Sequence, residues 1–211
     1  MVNNIKAVLF DMDGVLIDAK DWHYEALNKA LKTFGIEISR YDHLHTFDGL
    51  PTKVKLEMLS EQFYLPEKLH KTINQLKQIY TEELIYQNCH PLFHHEYALS
   101  KLHNEGYKIA VCSNSVRNTI ELMMKKSGLA DYIDLIMSNE DVVKSKPDPE
   151  IYLNTMEKLG LSPDECIVVE DNPNGIMAGK RSGARVLEVA SIYDVNYENI
   201  MNVIKKGLTN D

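Results

Sequence analysis

The chain has 211 residues, 44% hydrophobic and 26% charged, with a formal net charge of −8 at pH 7. That length suits one large domain, or one domain with a small insertion. The acidic balance, without any cluster of Lys and Arg, excludes a sequence-independent nucleic-acid binder. No apolar run approaches the roughly 20 residues that span a bilayer, and MVNNIKAV does not read as a signal peptide.

The first element is a strand over Ile5 to Phe10, whose Ala7-Val8-Leu9-Phe10 run is continuously apolar, the pattern of a strand buried on both faces of a parallel sheet. It runs into Asp11 and Asp13, two like charges at the rim of a dry core, followed at once by Gly14. Carboxylates there are costly unless a cation holds them ionised.

The next hundred residues contain no convincing strand. Ala26, Leu27, Ala30, Leu31 and Phe34 recur at helical spacing; Val54, Leu56, Met58 and Leu59 suggest a second helix, and Leu69, Ile73, Leu76, Ile79, Tyr80, Leu84 and Ile85 a third. A crossover needs far less chain. Residues 18–87 are therefore expected to form an inserted helical domain above the sheet edge, leaving 1–17 and 88–211 as an α/β core.

Four further strands are expected, at Lys108 to Cys112, Leu135 to Met137, Cys166 to Val169 and Arg185 to Val189, with helices between them. Asp148-Pro149 and Asn172-Pro173 read as N-caps followed by proline at the first helical position. Gly106, Gly128, Gly160 and Gly183 fall where helices end. Strands alternating with helices imply right-handed crossovers and a parallel doubly wound sheet. Near the C-terminus, YDVNYENI reads as a loop into a last amphipathic helix over the sheet edge. Cys89, Cys112 and Cys166 are odd in number and widely spaced, which points to reduced thiols and a cytoplasmic protein.

In an open parallel sheet, ligands bind beyond the carboxyl ends of the strands. After the first strand come Asp11 and Asp13; after the second, Ser113, Asn114 and Ser115; after the third, Lys146; after the fourth, Glu170 and Asp171. Each fragment alone has an ordinary explanation as a turn, a surface lysine or a helix cap. In order, each at a strand end, they describe one site. Its excess of carboxylates calls for a divalent cation, and oxygen ligands favour Mg²⁺. A hydroxyl, helix-start amides and a lysine suit a phosphate dianion, so the site is read as one for phosphoryl chemistry.

FDMDGVLID, VCSNS, KSKPDPEIY and VVEDNPNGI resemble the four ordered motifs of the haloacid dehalogenase superfamily, in its branch of β-phosphoglucomutase-like phosphatases. The resemblance covers about residues 5 to 190. It implies a Rossmann-like, mostly parallel sheet of five core strands in the order 5-4-1-2-3, with an α-helical cap inserted after the first strand. It further implies that Asp11 attacks phosphorus to form an aspartyl-phosphate. Asp13 would protonate the leaving alkoxide and then activate water. Gly14 permits the turn that brings Asp13 alongside. Asp171, the Asp11 side chain and the Asp13 carbonyl would hold Mg²⁺, with Glu170 direct or one step removed. Ser113, the Asn114 amide and Lys146 would hold the phosphoryl oxygens. The second aspartate, which dehalogenases lack, favours a phosphate ester or a phosphosugar.

The cap separates a phosphatase from a phosphosugar mutase. His23 matches the histidine that in β-phosphoglucomutases helps position the acid–base aspartate. The mutase's substrate-phosphate arginine falls on Thr52, with Lys53 adjacent as a partial substitute, and a lysine is not a bidentate arginine. Lys77 lies near a second cap lysine of that family. The favoured expectation is a monomeric Mg²⁺-dependent phosphatase of a small phosphorylated metabolite, with no nucleic-acid or membrane partner. A β-phosphoglucomutase-like mutase and a binding module that has lost turnover are the alternatives, and intact Asp11, Asp13, Lys146 and Asp171 count against the latter. Cys89, His90, His94 and His95 are read as a linker and helix start rather than a zinc site, and Trp22 as packing. His43, His45, His70 and His103 are read as helix-surface residues.

Overall fold

The computed structural model describes residues 4–206; Met1–Asn3, which open the MVNNIKAV segment and the expected core, and residues 207–211 at its far end lie outside the described residues. The chain divides into two compact units, one running to Asp18 and resuming at His90, the other spanning Ala19–Cys89.

The first unit is built on a five-stranded, wholly parallel sheet in the order β3-β2-β1-β4-β5. Its strands are β1 (Ala7–Phe10), β2 (Lys108–Cys112), β3 (Leu135–Met137), β4 (Cys166–Glu170) and β5 (Arg185–Glu188). In β1 all four residues are buried, and its register sets Phe10, its last residue, between Val111 and Val169, each one residue short of its own strand's end. Side chains alternate across the pleat. Ala7, Leu9, Ala110, Cys112, Cys166 and Val168 pack on one face against Ile151, Tyr152 and Met156 of α7 (Glu150–Leu159) and Ala178 of α8 (Pro173–Ser182). α5 (Phe93–Asn104) packs against β2. α6 (Arg117–Lys126) packs beside β3.

The capping expectation holds at the second of the two sites and is one residue off at the first. Asn172 accepts from Asn174 N with Pro173 at the first helical position. Asp148 Oδ1 accepts from Glu150 N, although the helix begins at Glu150, one residue later than the sequence suggests. The last helix, α9 (Tyr197–Lys206), forms as expected and packs against α5.

The second unit is helical. α1 (Lys20–Lys32), α3 (Thr52–Phe63) and α4 (His70–Asn88) are the three helices that the periodicity indicates. Leu27, Ala30 and Leu31 of α1 form its core with Leu56 and Leu59 of α3, Ile73 of α4, and Ile38, Phe47 and Leu65 from the connections. Asn28, buried on α1, bonds both Ile38 N and Ile38 O at 2.9 Å, pinning the returning loop. That loop carries what the sequence did not reveal: a single turn α2 (Arg40–Asp42), capped by Ser39, continuing into a wide π-type turn over His43–Phe47. His43 is buried there, correcting its reading as a surface residue.

Candidate active site

β1 delivers Asp11 to the centre of the sheet's carboxyl edge, where its N–H bonds Val169 O at 3.0 Å and its side chain is buried. The chain then turns sharply. Gly14 has φ +90°, a conformation that L side chains rarely adopt, and its N–H bonds Ile17 O at 2.7 Å. Met12 O accepts from Leu16 N and Ile17 N, which completes the knot. Asp13 sits half-buried in this turn and accepts from Ser115 Oγ at 3.1 Å.

β2 delivers Ser113, also buried, whose Oγ accepts from Ser115 N in a local turn ahead of α6. Asn114 is half-buried between them.

Lys146 arrives on the loop before α7. Glu150 at the start of that helix accepts from Val143 N and Lys144 N, which fixes the loop's approach. The Lys146 ammonium then places its three donors on Asp11 Oδ1 at 2.6 Å, Glu170 Oε1 at 2.6 Å and Cys112 O at 2.8 Å. β4 ends in Glu170, which is 1% exposed, and Asp171 follows in the turn into α8.

Carboxylate oxygens of Asp11, Glu170 and Asp171 lie within 4.8 Å of one another, the spacing of groups able to share a metal ion. Burial first, and then Glu170, raise the Asp11 carboxyl well above its usual range, against the pull of Lys146. Burial opposes the charge on Lys146 too, but Asp11 and Glu170 outweigh it and raise the lysine above its ordinary value. The cluster is therefore short of positive charge. A divalent cation with oxygen ligands would supply it, and Glu170 Oε2, buried without a hydrogen-bond partner among the described residues, is a donor that fits.

Three residues that were given no role of their own support this site. Ser115, already noted after the second strand, holds Asp13. Tyr152 is fully buried and donates from Oη to Glu170 Oε1 at 2.5 Å; burial and then Glu170 raise its phenol well above the usual value, which keeps it a donor. Gly175 passes so close to Glu170 that a Cβ would overlap the carboxylate. A phenol and a glycine beside a charged motif were legible only as packing.

Asp11, Asp13, Gly14, Ser113, Asn114, Lys146, Glu170 and Asp171 all lie in the sheet-bearing unit. His23 and Lys53 belong to the helical one. There, Lys77 donates to His23 Nδ1 at 3.3 Å, while Lys53 is exposed on α3, 4.0 Å from Glu57. The buried lysines of this unit are instead Lys55 and Lys77, each 7% exposed. Beside Lys55 lies His43, pushed down to about 4 by burial first and by that ammonium second. His94 and His95 both direct Nε2 at Ile192 O, at 3.2 and 2.8 Å, so this pair fastens the turn before α9. Cys89, Cys112 and Cys166 are buried free thiols.

Residues 8–189 match the haloacid dehalogenase-like hydrolase family. A phosphorylated carbohydrates phosphatase of Thermotoga maritima is 28% identical over 221 residues, covering 97% of this chain and all of the relative. A phosphoglycolate phosphatase of Aquifex aeolicus is 30% identical over 182 residues, covering 86% of this chain and 83% of its own. The crystal structure of a β-phosphoglucomutase from Clostridium difficile aligns with a TM-score of 0.84 at 25% identity, covering 98% of this chain and all of that one. The chain belongs to the haloacid dehalogenase-like hydrolases. Within them it falls among the β-phosphoglucomutase-like phosphatases.

Proposed function

We propose that this protein is a Mg²⁺-dependent phosphatase that hydrolyses a small phosphomonoester, a sugar, polyol or amino-alcohol phosphate, through an aspartyl-phosphate on Asp11. The carrying observation is the Lys146 ammonium bonded at once to Asp11 and Glu170, beside a three-carboxylate cluster at the strand ends. Asp11, Asp171 and Glu170, with the Asp13 carbonyl, would hold the cation; bound there, it would neutralise charge on the phosphoryl oxygens.

The remaining chemistry belongs to the chain. An Asp11 oxygen attacks phosphorus while the bond to the ester oxygen breaks, and Asp13 gives that oxygen a proton. Asp13, now a carboxylate, takes a proton from water as the water attacks the aspartyl-phosphate, releasing phosphate and restoring Asp11. Ser115 holds Asp13 Oδ2. Ser113, the Asn114 amide and Lys146 steady the phosphoryl oxygens. His23, with Lys77 at 3.3 Å, belongs to substrate selection in the helical unit. We assign the protein to the cytoplasm as a monomer; its buried free thiols support a reducing setting, and among the described residues no helix is long and apolar enough to cross a membrane.

The mutase alternative draws support from the likeness to a β-phosphoglucomutase. Against it stand Thr52 at the position of the mutase arginine and the exposure of Lys53.

The test is inorganic phosphate release from a panel of small phosphomonoesters, with Mg²⁺ or EDTA, beside Asp11→Asn. The reading predicts one strongly preferred ester, hydrolysed only with Mg²⁺ and not by the variant. Isomerisation of a hexose 1-phosphate primed by a bisphosphate, without stoichiometric phosphate release, would overturn it in favour of the mutase.

A further inference from the structure

Glu170 is held on one oxygen only. Oε1 accepts from Lys146 Nζ at 2.6 Å and from Tyr152 Oη at 2.5 Å, which fills the acceptor sites of that atom. Oε2, equally buried, has no hydrogen-bond partner among the described residues. A solitary buried carboxylate oxygen is expensive to leave unmet, and this one belongs to the group whose oxygens lie within 4.8 Å of those of Asp11 and Asp171. Gly175 packs directly on the carboxylate and leaves no room for a side chain.

We propose that Tyr152 is a positioning residue for the metal site: its hydroxyl and Lys146 together occupy Glu170 Oε1, and so commit Oε2 to the cation or to a water bound on it. The inference rests on the Mg²⁺ reading above. Tyr152 touches neither substrate nor reacting atoms and acts through Glu170. Its ring is part of the core between α7 and the sheet, and Lys146 Nζ stands 4.9 Å from the ring centre. Packing and the cation–ring contact therefore survive in Tyr152→Phe, and only the hydroxyl's hold on Oε1 is lost. With one bond in place of two, the carboxylate is free to rotate, and Lys146 and the cation compete for both oxygens. Partners that orient a metal ligand typically contribute about 10- to 100-fold in affinity.

The experiment is calorimetric titration of the full chain with Mg²⁺ alone, comparing wild type, Tyr152→Phe and Glu170→Gln, each also melted without metal. The expected result is Mg²⁺ binding by wild type, at least about tenfold weaker binding by Tyr152→Phe, and a metal-free melting temperature close to wild type for that variant. Glu170→Gln should bind at least as poorly. A kinetic companion follows: in Tyr152→Phe the Mg²⁺ concentration giving half-maximal activity rises, while kcat at saturating Mg²⁺ recovers most of its wild-type value. Unchanged Mg²⁺ affinity in Tyr152→Phe, with or without a lower melting temperature, would overturn the inference and leave the Mg²⁺ reading intact. Absence of Mg²⁺ binding by wild type would overturn both.

Discussion

Both units bury lysine, but among the described residues only the sheet-bearing unit buries carboxylates. In the sheet-bearing unit the buried carboxylates Asp11 and Glu170 share the Lys146 ammonium, with Asp171 alongside. In the helical unit the buried ionisable side chains are Lys55, Lys77 and His43. Burying either sign is costly unless charge of the other sign meets it. The acidic cluster is the donor set proposed above for a cation. On the function proposed above, the division is one between reaction and selection: chemistry at the strand ends that the sheet register sets, and substrate choice in the helical unit.

The largest effect expected from this division is on Asp11. Asp11→Asn should lower turnover by roughly 10⁴-fold while leaving the chain folded, as measured by phosphate release and melting. Lys146→Met should also abolish turnover, and in addition cost about 3–5 kcal/mol of stability, because two buried carboxylates lose a shared partner. Denaturant titration would check it, and a variant as stable as wild type would mean that the carboxylates do not rely on the lysine.

Selection should respond differently. Lys55→Ala and Lys77→Ala should each raise KM about tenfold, the equivalent of 1.4 kcal/mol, and leave kcat and Mg²⁺ affinity much less changed. Lys53→Ala should change KM by less than about twofold, because its ammonium is exposed and screened. A larger effect at Lys53 than at Lys55 would reverse the assignment.

The smallest effect concerns stability against pH. Burial foremost pushes His43 and His95 from 6.5 to about 4 in the folded chain. The unfolded chain takes up these protons near 6.5, so the stabilisation from each neutral histidine is complete above that pH. It is lost as pH falls toward 4, at about 1.4 kcal/mol per pH unit per histidine. Thermal melts of wild type and His95→Gln between pH 7 and 4 should show a shallower decline in the variant. Equal slopes would contradict it.

The contrast between the units also marks what the sequence disclosed. Apolar runs mark β2 and β3 to the residue, although Lys108 opens β2 exposed and Leu135 and Ile136 of β3 are half-buried. β1 runs straight into Asp11 and β4 ends in Glu170, but Lys146 comes well after β3, so its place in the site was legible only alongside the other motifs. The helical unit was legible as helices, but not as a set of facing residues. The expectation named Lys53, next to Thr52 in sequence; Lys55, four residues before Leu59 on the buried face of α3, went unnamed. Lys77, noted only through the family resemblance, stands in the buried stripe Ile73-Lys77-Thr81-Ile85 of α4. His43 was misread because the Arg40–Phe47 turns have no period to reveal which way a side chain points.

The central claim is that Asp11 becomes phosphorylated during turnover. The most direct measurement is acid-quenched mixing of the full chain, Mg²⁺ and the best ester from the panel, followed by peptide mass spectrometry. The account predicts a phosphoryl group on the peptide that begins the first motif, at Asp11, appearing within the first turnover and absent in Asp11→Asn. Phosphate release by Asp11→Asn at the wild-type rate, or a phosphoryl group on a different residue, would contradict it.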